Sequence, residues 1–197
     1  MNAPRTTLTN ESGVSVIDML MVLAIVATLS AMALPSFLSS IEQYRLGTSV
    51  RDVERELQFA RLKAVATESP MRVRFNCPAV GQLRAVELIG TSANPDPADS
   101  ATNRCDETAY PYSPTGADRS RLTRPNNDGP VRRLQKDVTF TATTTLEFWP
   151  DGTVHTACTA ACVGGAPKID TVTISLQRKG KTKNITVNSL GKIQMDR

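Results

Sequence analysis

The chain has 197 residues, 40% of them hydrophobic, and a formal net charge of +4 from 23 Lys and Arg against 19 Asp and Glu. That length accommodates one domain with a sizeable core and excludes a second full domain. So small an excess of positive charge singles out no class of partner, nucleic acid included. The apolar residues crowd toward the N-terminus, and the remainder of the chain is more polar than the average.

Residues 14–34 read VSVIDMLMVLAIVATLSAMAL, with Asp18 the single ionisable side chain. As a helix this stretch rises roughly 30 Å, enough to cross a bilayer. A secretory signal peptide places its small-residue cleavage site behind the apolar run. Here the polar segment 1–13 ends in Glu-Ser-Gly, so the candidate cleavage glycine, Gly13, lies ahead of the run, and a cut there retains the membrane segment. Asp18 sits near the start of that segment, where burying a carboxylate costs on the order of 2.5–3.5 kcal/mol and calls for compensation. A free amine at Val14 supplies it, because each of the two opposite charges lowers the burial cost of the other. Pro35 closes the run, and helical periodicity resumes beyond it.

The motif from Gly13 through Val14, Asp18 and Leu20, together with Pro35, resembles the processing motif of type IV pilins and type II secretion pseudopilins. Asp18 stands where that family usually has glutamate, and Val14 where phenylalanine is usual. The resemblance implies a leader at 1–13 removed by a prepilin peptidase, with methylation of the new N-terminus at Val14. It implies a transmembrane and assembly helix at 14–35, and an Asp18 carboxylate that meets the terminal amine of a neighbouring subunit. It places the protein in the bacterial inner membrane, single-pass with its C-terminal domain in the periplasm, and then in a pilus or pseudopilus. The implied partners are other pilin or pseudopilin subunits, the peptidase and an inner-membrane assembly platform.

Residues 36–69 continue the helix in amphipathic form. Leu46, Val50, Val53, Leu57, Ala60 and Ala64 recur at alternating spacings of four and three, with Arg51, Asp52, Glu54, Arg55 and Glu56 between them. Alanine at two of these positions favours packing on a sheet of the same chain over a coiled coil. Ser69-Pro70 marks the end near Thr67, because the residue before proline avoids helical geometry.

Residues 70–197 read as a β-rich domain. MRVRFN at 71–76 and LRAVELI at 83–89 alternate in strand fashion around Gly81 and form a hairpin. Residues 91–136, rich in Pro, Asn, Asp, Ser and Thr, read as a long irregular excursion tethered by Cys105. It carries a basic cluster, Arg119, Arg121, Arg124, Arg132, Arg133 and Lys136, which is either a mobile charged loop or a partner surface. Strand signals return at 138–140, 145–149, 153–154, 171–178, 184–188 and 190–195, with Pro150-Asp151-Gly152 as a turn and a basic connection at 179–183. Phe148 and Trp149 fit as strand residues. The expected architecture is α+β: one long helix packed on an antiparallel sheet.

Cys77, Cys105, Cys158 and Cys162 are an even set in a chain placed partly outside the cytoplasm, which permits disulfides. Four cysteines allow three pairings. The short Thr-Ala-Ala loop favours Cys158 with Cys162, leaving Cys77 with Cys105. Cys-x3-Cys without suitably spaced histidines is no zinc signature, so no metal and no cofactor are expected.

Residues 57–65 (LQFARLKAV), then Phe148 to Gly152 (FWPDG), then Gly191-Lys192-Ile193 resemble the GspH and FimT/FimU branch of minor subunits. The implied function is a minor pilin or pseudopilin that joins, primes or caps a thin filament. The alternatives are a type II secretion pseudopilin of GspH type and a FimT-like, DNA-binding minor pilin for DNA uptake. The last would use Arg178, Lys179, Lys181, Lys183 and Lys192, a basic set that equally serves as a solvated turn. No enzyme is expected, because His155 is the single histidine and no nucleophile stands at a recognised spacing from it.

Overall fold

The computed structural model describes residue 13 and residues 15–112, 125–157 and 167–196. One helix, α1, runs Val16–Thr67, and the chain divides into two compact units at Ile41 and Glu42.

In the first unit, the large apolar side chains from Val16 to Leu38 are all exposed. They are satisfied only in an apolar surrounding such as lipid or packed helices. Backbone polar groups in such a surrounding must be bonded internally, and a continuous helix does this. Thr28 and Ser40 return their hydroxyls to the carbonyls of Ile25 and Ser36 at 2.8 and 3.0 Å. Pro35 lies inside the helix, although proline removes one backbone donor.

In the second unit, the stripe read from the sequence is the buried face of α1: Leu46, Val50, Val53, Leu57, Ala60 and Ala64 are all buried, and Ser49 and Glu56 join them. The helix ends at Thr67 because Glu68 takes a left-handed φ of 52° and Pro70 follows.

The strands form two antiparallel sheets where the sequence suggested one. The first contains β1 (Met71–Phe75), β2 (Gln82–Glu87), β3 (Arg132–Arg133), β5 (Leu146–Phe148) and β6 (Val154–Thr156), in the order β3-β2-β1-β5-β6. The second contains β4 (Thr139–Ala142), β7 (Thr171–Arg178), β8 (Lys181–Asn188) and β9 (Ile193–Met195), in the order β4-β7-β8-β9. The chain leaves one sheet for the other after the register shift between Phe140 and Ala142, an irregularity that bends a strand. The sheets are stitched where Val154 N–H donates to Ser189 O at 2.9 Å. One cluster of buried apolar residues draws on α1 and both sheets, with Met71, Val73, Leu146, Phe148, Ile174, Leu176, Ile185 and Val187 at its centre.

The β7–β8 connection is tighter than expected. Lys179 and Gly180, at φ 45° and 80°, make a two-residue turn, the form that matches strand twist. Lys181 and Lys183 therefore belong to β8. They lie on the face shared with Ile185 and Val187, across from Arg178 and Leu176.

Candidate functional site

Three sequence fragments that carried the branch resemblance converge on Arg61. Its Nη2 donates to Leu190 O at 3.1 Å. A Cβ built on Gly152 would lie 3.6 Å from the same guanidinium, and one on Gly191 only 2.5 Å from Arg61 Nε and 2.9 Å from Gly152 O. Gly152 and Gly191 both hold positive φ, 81° and 73°, which glycine adopts without steric cost. The helix, the turn after β5 and the entry to β9 thus lock together at one guanidinium.

The second arrangement lies on the outer face of the first sheet. Paired residues across a sheet share a face, so Arg72, Glu147, Arg74 and Arg84 lie opposite the core-facing Met71, Val73, Ala85 and Leu146. Such charges normally meet water. Here the chain after β2 folds back over them, and Arg72, Arg84 and Glu147 are buried. Arg84 donates to four backbone carbonyls: Gly129 at 2.8 Å, Arg104 at 2.8 Å, Asp106 at 3.2 Å, and Tyr110. Burial pushes the Arg84 pKa below its ordinary value, opposed by the carboxylate of Asp128. Arg72 binds Glu147 at 2.6 Å and reaches Asp99 O at 3.1 Å and Ser100 Oγ at 2.9 Å.

Arg104, fully buried, joins the two ends of the excursion. It donates to Asp128 at 2.7 Å, to Asp99 at 3.5 Å and to Glu87 O at 2.5 Å. Asp99 caps the amides of Ile89 and Gly90 at 2.8 and 2.9 Å, and Asp128 the amide of Glu87 at 2.8 Å. The Glu87 carboxylate takes the amides of Asn126 and Asn127 at 3.0 and 3.1 Å. The short 3-10 helices Pro97–Asp99 and Thr102–Cys105 carry Asp99 and Arg104 into place. The Cys77–Cys105 disulfide, with Cα atoms 5.2 Å apart, ties the same segment to the end of β1. The described parts of the 91–136 excursion are therefore a fastened cover and not a loose loop. The sequence did not announce it, because buried arginines bonded to carbonyls leave no periodic signal. The alternation of Arg72 and Arg74 in β1 reads as an ordinary solvated strand face.

The far end of the cover is pinned to α1. Glu56, expected among the exposed charges, is buried. Its Oε2 accepts from Arg132 Nε at 3.1 Å, and burial pushes its carboxyl pKa up despite Arg132. Ser49 Oγ accepts the Gln135 amide at 3.1 Å.

The five basic residues considered for nucleic acid do not form one exposed tip. Arg178 is buried, and donates to Lys136 O at 2.5 Å with Asp137 at 3.5 Å. Lys179 binds Glu42 at 2.5 Å, and that hydrogen bond holds the Glu42 carboxyl below its usual range. Lys181 and Lys183 are half-buried on the core-facing side of β8, and Lys192 is exposed. Of the second basic cluster, Arg132, Arg133 and Lys136 are exposed, while Arg119, Arg121 and Arg124 lie outside the described residues.

Gly13 is exposed and Asp18 sits in the first turn of α1, where a carboxylate complements the helix dipole. Val14, residues 1–12 of the leader expected at 1–13, Cys158 and Cys162 lie outside the described residues, and so does the pairing expected between those two cysteines. His155 stacks on Trp149 with ring centroids 4.9 Å apart and meets Thr153 Oγ1 at 2.8 Å. Among the described residues no group of three or more His, Cys, Asp or Glu is placed to hold a metal.

No protein-family model matches the chain, and no curated protein is significantly similar to it. Among solved structures it is similar to the type IV minor pilin FimU of Pseudomonas aeruginosa in two crystal forms. The first has 14% identity and a TM-score of 0.46 over 79% of this chain and 91% of FimU. The second has 14% identity and a TM-score of 0.42 over 77% and 93%. Likenesses of this degree carry no inference about fold or function, which rest on the chain's own helix, sheets and N-terminal segment.

Proposed function

We propose that this protein is a minor subunit of a type IV pilin-like filament, made with a leader at 1–13 and held in the inner membrane by the first part of α1 until it is assembled. The observation that carries the reading is the N-terminal segment. Its apolar side chains from Val16 to Leu38 are all exposed, its one ionisable residue is Asp18, and the candidate cut at Gly13 precedes it. An apolar helix with a carboxylate at its head is costly in isolation and stable among like helices whose free amines meet that carboxylate. The domain from Glu42 onward, with its cover built from the described parts of the 91–136 excursion, would then face partners. Its role is structural, to join, prime or cap the filament, and its partners are other pilin subunits, the prepilin peptidase and the assembly platform.

N-terminal sequencing and mass spectrometry of the protein from cells with and without the peptidase test this. The expected product begins at methylated Val14 and accumulates only with the peptidase. A start behind the apolar run marks an ordinary signal peptide and refutes the reading.

A further inference from the structure

We propose that the edge of β9, which pairs with no further strand among the described residues, is a docking site for an extended segment of a partner protein, which joins the second sheet as a fifth strand. The docking edge belongs to the domain from Glu42 on, and would serve whatever the apolar N-terminal segment does.

The ladder between β8 and β9 sets which backbone groups are free. Asn188 N–H donates to Lys192 O at 3.1 Å and Asp196 N–H to Asn184 O at 3.0 Å. In an antiparallel pair alternate residues turn their backbone groups to opposite sides. Lys192, Gln194 and Asp196 are thus turned to β8, and the N–H and C=O groups of Ile193 and Met195 point away from it. Proteins commonly blunt such an edge with proline, an inward-pointing charge or a covering segment. β9 contains no proline and no inward-pointing charge: its inward-facing residues, across from Val187 and Ile185, are Ile193 and Met195.

Beside this edge runs a groove of about 750 Å³, lined by Gln58, Arg61, Leu62, Val65, Ala66 and Gly191 through Ile193. Leu62 is 70% exposed and Val65 48% exposed on its helical wall, with Met195 37% exposed at the edge itself. The helix therefore offers apolar surface for one more strand than the described residues supply. An added strand would bond to Ile193 and Met195 and lay every second side chain over Leu62 and Val65, the mode in which an extended peptide extends a sheet.

The charges at the site specify the occupant further. Arg61 and the exposed Lys192 stand at the start of β9. The segment that fits has apolar residues at alternate positions and an acidic residue placed to meet Lys192.

The test uses the full chain in detergent micelles and a synthetic peptide alternating valine and threonine with a terminal glutamate. Amide exchange of Ile193 and Met195 should slow by roughly tenfold or more on binding, since each gains or flanks a backbone hydrogen bond. Methylating the peptide nitrogens that face β9 should weaken binding by about tenfold or more, whereas methylating the alternate nitrogens should not. Lys192→Glu should weaken this peptide and favour one ending in lysine, and the exposed Leu62→Thr should weaken both. Absence of binding at millimolar peptide overturns the proposal, as does equal binding of the two methylated peptides or binding without protection of the two amides. Protection that grows with protein concentration and needs no peptide would make a second copy the occupant, and would overturn it as well.

Discussion

Replacing Arg104 with methionine removes the central cation of the cover while keeping most of its volume. The guanidinium is fully buried between Asp128 at 2.7 Å and Asp99 at 3.5 Å, whose side chains are 4% and 3% exposed. Deleting one side of a buried ion pair costs about 3–5 kcal/mol, because the remaining charge stays desolvated. The lower end applies here, since Asp99 keeps two backbone amides and Asp128 keeps one. A loss of about 3 kcal/mol is therefore expected near neutral pH. Asp128→Asn added to the variant should recover part of it. Urea unfolding of the full chain in detergent, followed by fluorescence of Trp149, measures the global term, and amide exchange at Gly129, bonded to Ala85 O at 2.8 Å, measures local opening of the cover. A variant within about 0.5 kcal/mol of the parent, with unchanged exchange at Gly129, would refute the reasoning.

Gly191→Ala should cost about 1–3 kcal/mol, from a left-handed backbone and a Cβ forced against Arg61, whereas Gly180→Ala, with nothing within 4 Å of its Cβ position, should cost less; thermal or urea unfolding compares them. Cys77→Ser with Cys105→Ser should destabilise the chain by about 3–4 kcal/mol on loop-entropy grounds, given the separation of 28 residues, as read from unfolding of parent and variant under oxidising conditions. Glu56 has its folded-state carboxyl pKa raised, chiefly by burial. Its contribution to stability is therefore present at low pH and is lost as pH rises through that raised value. Glu56→Gln should flatten this decline, so that the variant gains on the parent with rising pH; parallel stability curves would count against it.

The parts of the fold legible in the sequence are those with a period. The helical stripe from Leu46 to Ala64 and the strand alternation in 71–75 and 171–178 are dictated by which face is buried, and the structure keeps those residues in the core. Features set by contacts distant in sequence were not legible. The division into two sheets depends on an irregularity in β4. The burial of Arg178 depends on a turn two residues long, where the sequence offered a longer basic connection. The burial of Arg84 and Arg104 has no local signal, because nothing local marks a guanidinium whose partners are backbone carbonyls or acids up to 45 residues away. Arg61, Gly152 and Gly191 were visible only as short motifs, and their meaning is their meeting.

Among the described residues the fasteners of the cover fall into two groups: Asp99, Arg104 and Cys105 early in the excursion, and Asp128, Gly129, Arg132 and Gln135 late in it. Because the Arg104 guanidinium bonds both groups, neither can let go without leaving a desolvated charge on the other, so the cover should open as one cooperative event and not strand by strand.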